Sequence, residues 1–149
     1  MGIKTFRDLL IWKKGMQLVK SIYKLTRSFP KSENYNLSSQ MKRAAISIPS
    51  NIAEGFGRNT KKDFQRFLYI ALGSIFELQT QIIISYEQNY INQQQYDSIN
   101  ELSREVERML CSFMDFNQNI IDQKKWVFVS MDLGIFESNL KKGEINEQK

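Results

Sequence analysis

Four runs of this chain carry apolar residues at intervals of three and four, and before residue 119 no run alternates apolar with polar. Such spacing lines one face of a helix, whereas a half-buried strand needs a period of two. The pattern predicts an all-α fold. In the first run Leu9, Trp12, Met16, Val19, Tyr23 and Thr26 share a face, which predicts the core side of a helix. Thr5 and Asp8 form a capping-box pattern at its start, and Pro30 ends it. The second run, from Leu37 to Gly57, turns Met41, Ala44, Ala45, Ile48 and Ile52 inward. Gly55 and Gly57 suit a left-handed cap at its end. Pro49 removes a backbone donor inside this helix, which predicts a kink or a break into two shorter helices.

The third run starts at Thr60, with Asp63 at the capping-box position, and reaches Glu87. Its core face is Phe64, Phe67, Leu68, Ala71, Ile75, Leu78 and Ile82. Tyr69, Ile70, Leu72, Phe76, Ile83 and Ile84 occupy the rest of the circumference. A helix apolar nearly all round is covered on more than one side. In a small bundle the second cover comes from another subunit, so Tyr69, Phe76 and Ile83 are the expected oligomer interface. The stretch from Phe67 to Tyr86 has Glu77 as its only charge. Gly73, Ser74, Gln79, Thr80, Gln81 and Ser85 interrupt it too often for a bilayer core, and no membrane span is expected. The fourth run starts at Asn92 with Gln95 as capping partner, and Tyr96, Ile99, Val106, Leu110 and Phe113 form its stripe.

Short connections between four amphipathic helices give an up-down-up-down antiparallel four-helix bundle over residues 1–118. Residues 119–149 make a C-terminal tail to which the helical pattern assigns no structure. It holds a β-prone run, Trp126 to Val129, and a polar end from Lys141 to Lys149.

The chain contains no histidine, which excludes His-based triads and imidazole metal sites. A di-iron carboxylate centre of the ferritin kind needs Glu-x-x-His pairs and is excluded with them. Cys111 is the single cysteine, so no internal disulfide forms and a reducing cytoplasm is the expected compartment. The N-terminus lacks the pattern of a signal peptide. Neither a cofactor nor a catalytic constellation is expected, because no carboxylate has a partnered base or nucleophile.

The net charge of +5 conceals a division. Residues 1–66 hold 14 basic and 4 acidic side chains, a net of +10. Residues 67–118 hold 2 and 7, a net of −5, and residues 119–149 balance at 5 and 5. A basic half beside an acidic half suggests a polyanion partner, or subunits meeting basic face to acidic face.

The run Phe6-x-x-Leu9-x-x-Trp12, then Phe29-Pro30 with Glu33 and Tyr35, then Leu37-x-x-Gln40-x-x-Arg43-Ala44-Ala45-x-Ser47-Ile48-Pro49-Ser50-Asn51-Ile52-Ala53-Glu54-Gly55 has a familiar order. Phe64, Phe67-Leu68, Ile70-Ala71, Gly73-Ser74 and Glu77-Leu78 continue it. It resembles the four-helix bundle protein family encoded in intervening sequences of bacterial 23S ribosomal RNA genes and elsewhere in bacterial genomes. The resemblance covers residues 5–116 and is most specific from Ser47 to Gly55. It implies a closed-ring homopentamer. It also implies kinship with the accessory variability protein of diversity-generating retroelements, which binds nucleic acid and a reverse transcriptase. The tail departs from the pattern.

Two polar stripes are candidates for function. Gln40, Arg43, Ser47, Asn51, Glu54 and Arg58 follow one another along the second helix. They are either a ligand or partner site, or an ordinary Glu54–Arg58 pair with Ser47 and Asn51 repairing the backbone at Pro49. Lys13, Gln17, Lys20, Lys24, Arg27 and Lys31 line the first helix, flanking its expected core face. With Arg43, Arg58, Lys61, Lys62 and Arg66 they form either a phosphate-binding surface or a solvated face of snorkelling side chains. The +10 bias and repetition around a ring favour RNA or DNA backbone. No base-reading motif is visible, so little sequence specificity is expected. The leading expectation is a non-enzymatic, homo-oligomeric bundle binding nucleic acid electrostatically. The alternative is a protein-interaction scaffold, or an accessory subunit of a nucleic-acid enzyme, without nucleic-acid affinity of its own.

Overall fold

A computed structural model describes the backbone of residues 2–121 and the side chains of residues 2–115. Four helices make up the described chain: α1 (Leu10–Leu25), α2 (Leu37–Phe56), α3 (Lys61–Glu87) and α4 (Gln93–Ile121). Each packs on its neighbours in a cycle, α1 on α2 and α4, and α3 on α2 and α4. The pairing runs in opposite order along adjacent helices. Gly15 meets Pro49 while Tyr23 meets Lys42, and Met41 meets Ser85 while Gly55 meets Phe64. Such reversal makes neighbours antiparallel, so the fold is the four-helix bundle that the periodicity predicts. α4 continues to Ile121, past the boundary expected at residue 118. The tail, with Trp126 to Val129, lies outside the described residues.

The helix starts follow the capping residues. Asn92 and Gln95 bond each other's backbone N–H reciprocally, both at 2.9 Å, ahead of α4. Thr60 Oγ1 accepts the Asp63 N–H at 3.1 Å ahead of α3. Thr5 and Asp8 also close a capping box, but on a single 3-10 turn from Phe6 to Asp8. Leu9 then turns extended, at φ −66° and ψ 122°, before α1 begins.

That extended residue corrects the expected core face of the first helix. A count carried through Leu9 is out of phase with the helix after it. The buried line of α1 is Ile11, Gly15, Leu18 and Ile22, one residue earlier than Trp12, Met16, Val19 and Tyr23. Met16 and Tyr23 are 42% and 40% exposed, and Trp12 and Val19 lie half-buried at the edge. Gly15 sets the seam, since a Cβ there would sit 3.5 Å from the Pro49 Cβ, in ordinary contact.

Helix α2 runs through Pro49 without the break into two that is one of the expectations, and Asn51 does not reach the Ala45 carbonyl that Pro49 leaves without its usual donor. Asn51 Nδ2 donates instead to the Ser47 carbonyl at 2.7 Å and to Ser47 Oγ at 2.9 Å. Gly55 lies inside the helix and Gly57 ends it with right-handed φ, −77°, so neither makes a left-handed cap. Gly55 serves close packing, because a Cβ there would lie 2.7 Å from Phe64 Cδ2 and 2.8 Å from Phe67 Cβ. The left-handed residue in the described chain is Asn89, at φ 58°. It closes α3 in a Schellman motif, with Tyr90 N–H on the Ser85 carbonyl and Asn89 N–H on that of Tyr86, each at 2.9 Å.

α3 is long and apolar enough by composition to cross a membrane. Its inner face, Phe64, Leu68, Ala71, Ile75, Leu78 and Ile82, is instead buried in the bundle core. Its outer face keeps Tyr69, Phe76 and Ile83 at 53%, 48% and 44% exposure, at intervals of seven residues. Gly73 lies between them, with no atom within 4 Å of where its Cβ would be.

Candidate nucleic-acid interface

At 100° per residue, the row Lys13, Lys20, Lys24 points about 180° from the buried row Ile11, Gly15, Leu18, Ile22. The stripe therefore faces straight outward rather than flanking the core, a consequence of the corrected register. Lys13, Lys20 and Lys24 are exposed on α1, and Arg27 and Lys31 extend the row through the turns beyond it. Among the described residues no carboxylate pairs with Lys20, Lys24, Arg27 or Lys31. Lys13 contributes to holding the Asp8 carboxylate below its ordinary range, after the backbone N–H groups of Thr5 and Lys4.

Lys42 belongs to this edge although its sequence position does not announce it. It projects from α2 towards α1, with Nζ 5.4 Å from the centre of the Tyr23 ring. Only the antiparallel alignment of α1 with α2 brings it to Tyr23, the neighbour of Lys24 in the chain. The signal available in the sequence was its offset from Pro49, which fixes the register against Gly15.

The other basic candidates do not join this group. Arg58, Lys61, Lys62 and Arg66 sit at the α2–α3 connection, beside the N-terminal end of α1. α1 is about 24 Å long, at 1.5 Å per residue, and separates them from Arg27 and Lys31. Arg58 is also engaged, paired with Glu54 and stacked 4.8 Å over the Phe67 ring. Lys62 and Arg66 are exposed, and Lys61 is half-buried. Arg43 is exposed on the outer side of α2. Lys14, between these rows, is bound to Glu105 of α4 at 2.7 Å.

The second stripe divides in the structure. Gln40, Arg43 and Glu54 face solvent, while Ser47 and Asn51 are half-buried against α3. Ser74 Oγ lies 2.8 Å from Ser47 Oγ and 3.0 Å from the Ile70 carbonyl. Asn51, Ser47 and Ser74 thus link α2 to α3, which is a packing role. Among the described residues no three His, Cys, Asp or Glu side chains converge on a point that could hold a metal. Cys111 is half-buried, and its thiol is pushed up by burial first and then by Glu107 and Asp115. Such a thiol is a poor nucleophile at neutral pH.

No curated protein matches the chain. Among solved structures it is similar to a protein of unknown function from the S23 ribosomal protein family of Bacteroides thetaiotaomicron. The two share 26% identity and a TM-score of 0.66, over 71% of this chain and 96% of the other. The family model of the 23S rRNA-intervening sequence protein matches residues 7–112, the span that holds α1, α2, α3, the greater part of α4 and both stripes. By that match, the chain belongs to the 23S rRNA-intervening sequence protein family.

Proposed function

We propose that this protein is a non-enzymatic, cytoplasmic, homo-oligomeric bundle that binds the nucleic-acid backbone electrostatically and with little sequence specificity. One observation carries the reading: the outward row Lys20, Lys24, Arg27 and Lys31, exposed and without carboxylate partners among the described residues. A cation neutralised in place gains little from a phosphate, whereas an unpaired row releases counterions when a polyanion binds. The exposed row Tyr69, Phe76 and Ile83 supports assembly, and the family resemblance supports five subunits. Assembly would sum the potentials of several basic rows.

The test is a salt titration of polynucleotide binding by the pure protein. Log affinity falls against log salt by about 0.9 per phosphate contact on duplex DNA and about 0.7 on single strands. Four contacts from one subunit correspond to a slope of about 3 on a single strand. Reversing Lys20, Lys24 and Arg27 to Glu should abolish binding with helicity intact, while neutralising Glu101 and Glu105 should not weaken it. Absence of binding to any polynucleotide at low salt sinks the reading. The scaffold alternative then takes its place, since the apolar α3 row would serve a partner protein equally well.

A further inference from the structure

We propose that the basic edge takes single-stranded nucleic acid, with Tyr35 as the stacking platform for an unpaired base; the proposal rests on the phosphate-binding reading of the same edge. Five tyrosines lie towards this end of the bundle, and four are occupied. Tyr23 has the Lys42 ammonium over its ring. Tyr86 packs on Tyr96 with ring centres 4.7 Å apart. Tyr90 packs on Phe29 at 5.5 Å and donates its hydroxyl to Glu33 at 3.0 Å. Tyr35 is 92% exposed, and neither its ring nor its hydroxyl has a partner among the described residues.

Its surroundings suit a nucleotide. Tyr35 follows Lys31 by four residues, in the turns that lead from the unpaired cationic row into α2. The nearest carboxylate along the chain is Glu33, which forms no ion pair with Lys31 or Arg27 among the described residues. It accepts the Tyr90 hydroxyl and, at 3.2 Å, the Leu37 N–H. A strand with a phosphate on Lys31 would therefore have an unoccupied ring four residues along the chain, while the Glu33 oxygens are held by Tyr90 and Leu37. An aromatic face beside a phosphate-binding row stacks on any base, which adds affinity without adding sequence preference. In a duplex both faces of each base are already stacked, so the ring has nothing to cover there. The edge should then favour single strands although its charges serve either form.

The experiment compares a labelled mixed-sequence oligonucleotide, single-stranded and as its duplex, binding to the full chain at low salt. The native protein should hold the single strand more tightly. Tyr35→Ala should weaken single-strand binding by about tenfold or more and leave duplex binding unchanged, and Tyr35→Phe should keep both, because the ring does the stacking. A strand carrying 4-thiouridine should crosslink to the peptide containing Tyr35 on irradiation. If Tyr35→Ala binds the single strand as the native chain does, or the crosslink falls only elsewhere, stacking is overturned. Loss of both forms in the Lys20→Glu, Lys24→Glu, Arg27→Glu variant would show that the phosphate reading stands regardless. If the native chain binds neither form, both readings fall.

Discussion

Replacing Gly55 by Ala tests whether the α2–α3 seam is set by close approach, because the predicted sign opposes helix propensity. Inside a helix, Gly→Ala ordinarily stabilises by about 0.8–1 kcal/mol. Here the added methyl would lie 2.7 Å from Phe64 Cδ2 and 2.8 Å from Phe67 Cβ. The Phe64 ring edge can yield by rotation, but Phe67 Cβ is fixed to the α3 backbone and the helices must part. Overpacking of this kind costs about 1–3 kcal/mol, so after the propensity gain the net expectation is a loss of up to about 2 kcal/mol. Two other glycines calibrate the measurement. A Cβ at Gly15 meets its nearest atom at 3.5 Å, and one at Gly73 meets nothing within 4 Å. Both should gain from Ala, by up to about 1 kcal/mol in the unassembled chain. Urea unfolding at one protein concentration reads all three, each kcal/mol moving the midpoint by roughly 0.3–1 M. A Gly55→Ala midpoint at or above the native one would refute the reasoning. It would mean that α3 withdraws without cost and that the seam is not fixed there.

Asn51→Ala removes two hydrogen bonds to Ser47 at a half-buried seam, and urea unfolding should show a loss of about 1–2 kcal/mol with binding of polynucleotide unchanged. Light scattering of the native chain at micromolar concentration should give a multiple of the 17.6 kDa subunit mass, and Ile83→Glu should reduce it while circular dichroism keeps the helix content. In that variant the single-strand salt slope should fall towards the value of about 3 expected for one subunit's row. The Cys111 thiol, raised by burial and by Glu107 and Asp115, should react with an alkylating reagent at pH 8 more slowly than free cysteine, the rate rising only as the pH climbs further.

Helix number and order and the N-terminal caps of α3 and α4 were legible because they depend on local chemistry. Thr60–Asp63 and Asn92–Gln95 place the starts of α3 and α4 by bonds within one turn. The face of α1 was not legible, since a single extended residue, Leu9, shifts the phase by 100° and no local pattern marks it. Trp12, Met16 and Tyr23 are the larger side chains, while the true seam follows Ile11, Gly15, Leu18 and Ile22. Gly55 misled in the same way. Read locally it ends a helix, but its partners Phe64 and Phe67 belong to the next helix and only the folded chain brings them near. Among the site residues the α1 row was legible as a periodic charge pattern. Lys42 was not, because its place depends on the register of α2 against α1.

The arrangement of the four helices bears on how assembly and binding can coexist. α1 neighbours α2 and α4, and α3 neighbours the same pair, so α1 and α3 occupy opposite corners. The cationic row points outward from one corner and the apolar row Tyr69, Phe76, Ile83 from the other. An interface pairing α3 with α3 leaves the α1 row uncovered, and in a ring, where each contact joins two different surfaces, the row stays uncovered when α3 docks on a neighbour's α2 or α4. A polyanion on α1 would then not have to displace a subunit. The basic row and the acidic helix are less separated, because α4 adjoins α1 and Lys14 already joins Glu105 across that seam. Glu101 is held below its ordinary range chiefly by its bond to Arg108, so it is paired within α4 rather than with the α1 row. Lys20 and Lys24 of α1 thus stay available although the acidic helix is adjacent and takes Lys14.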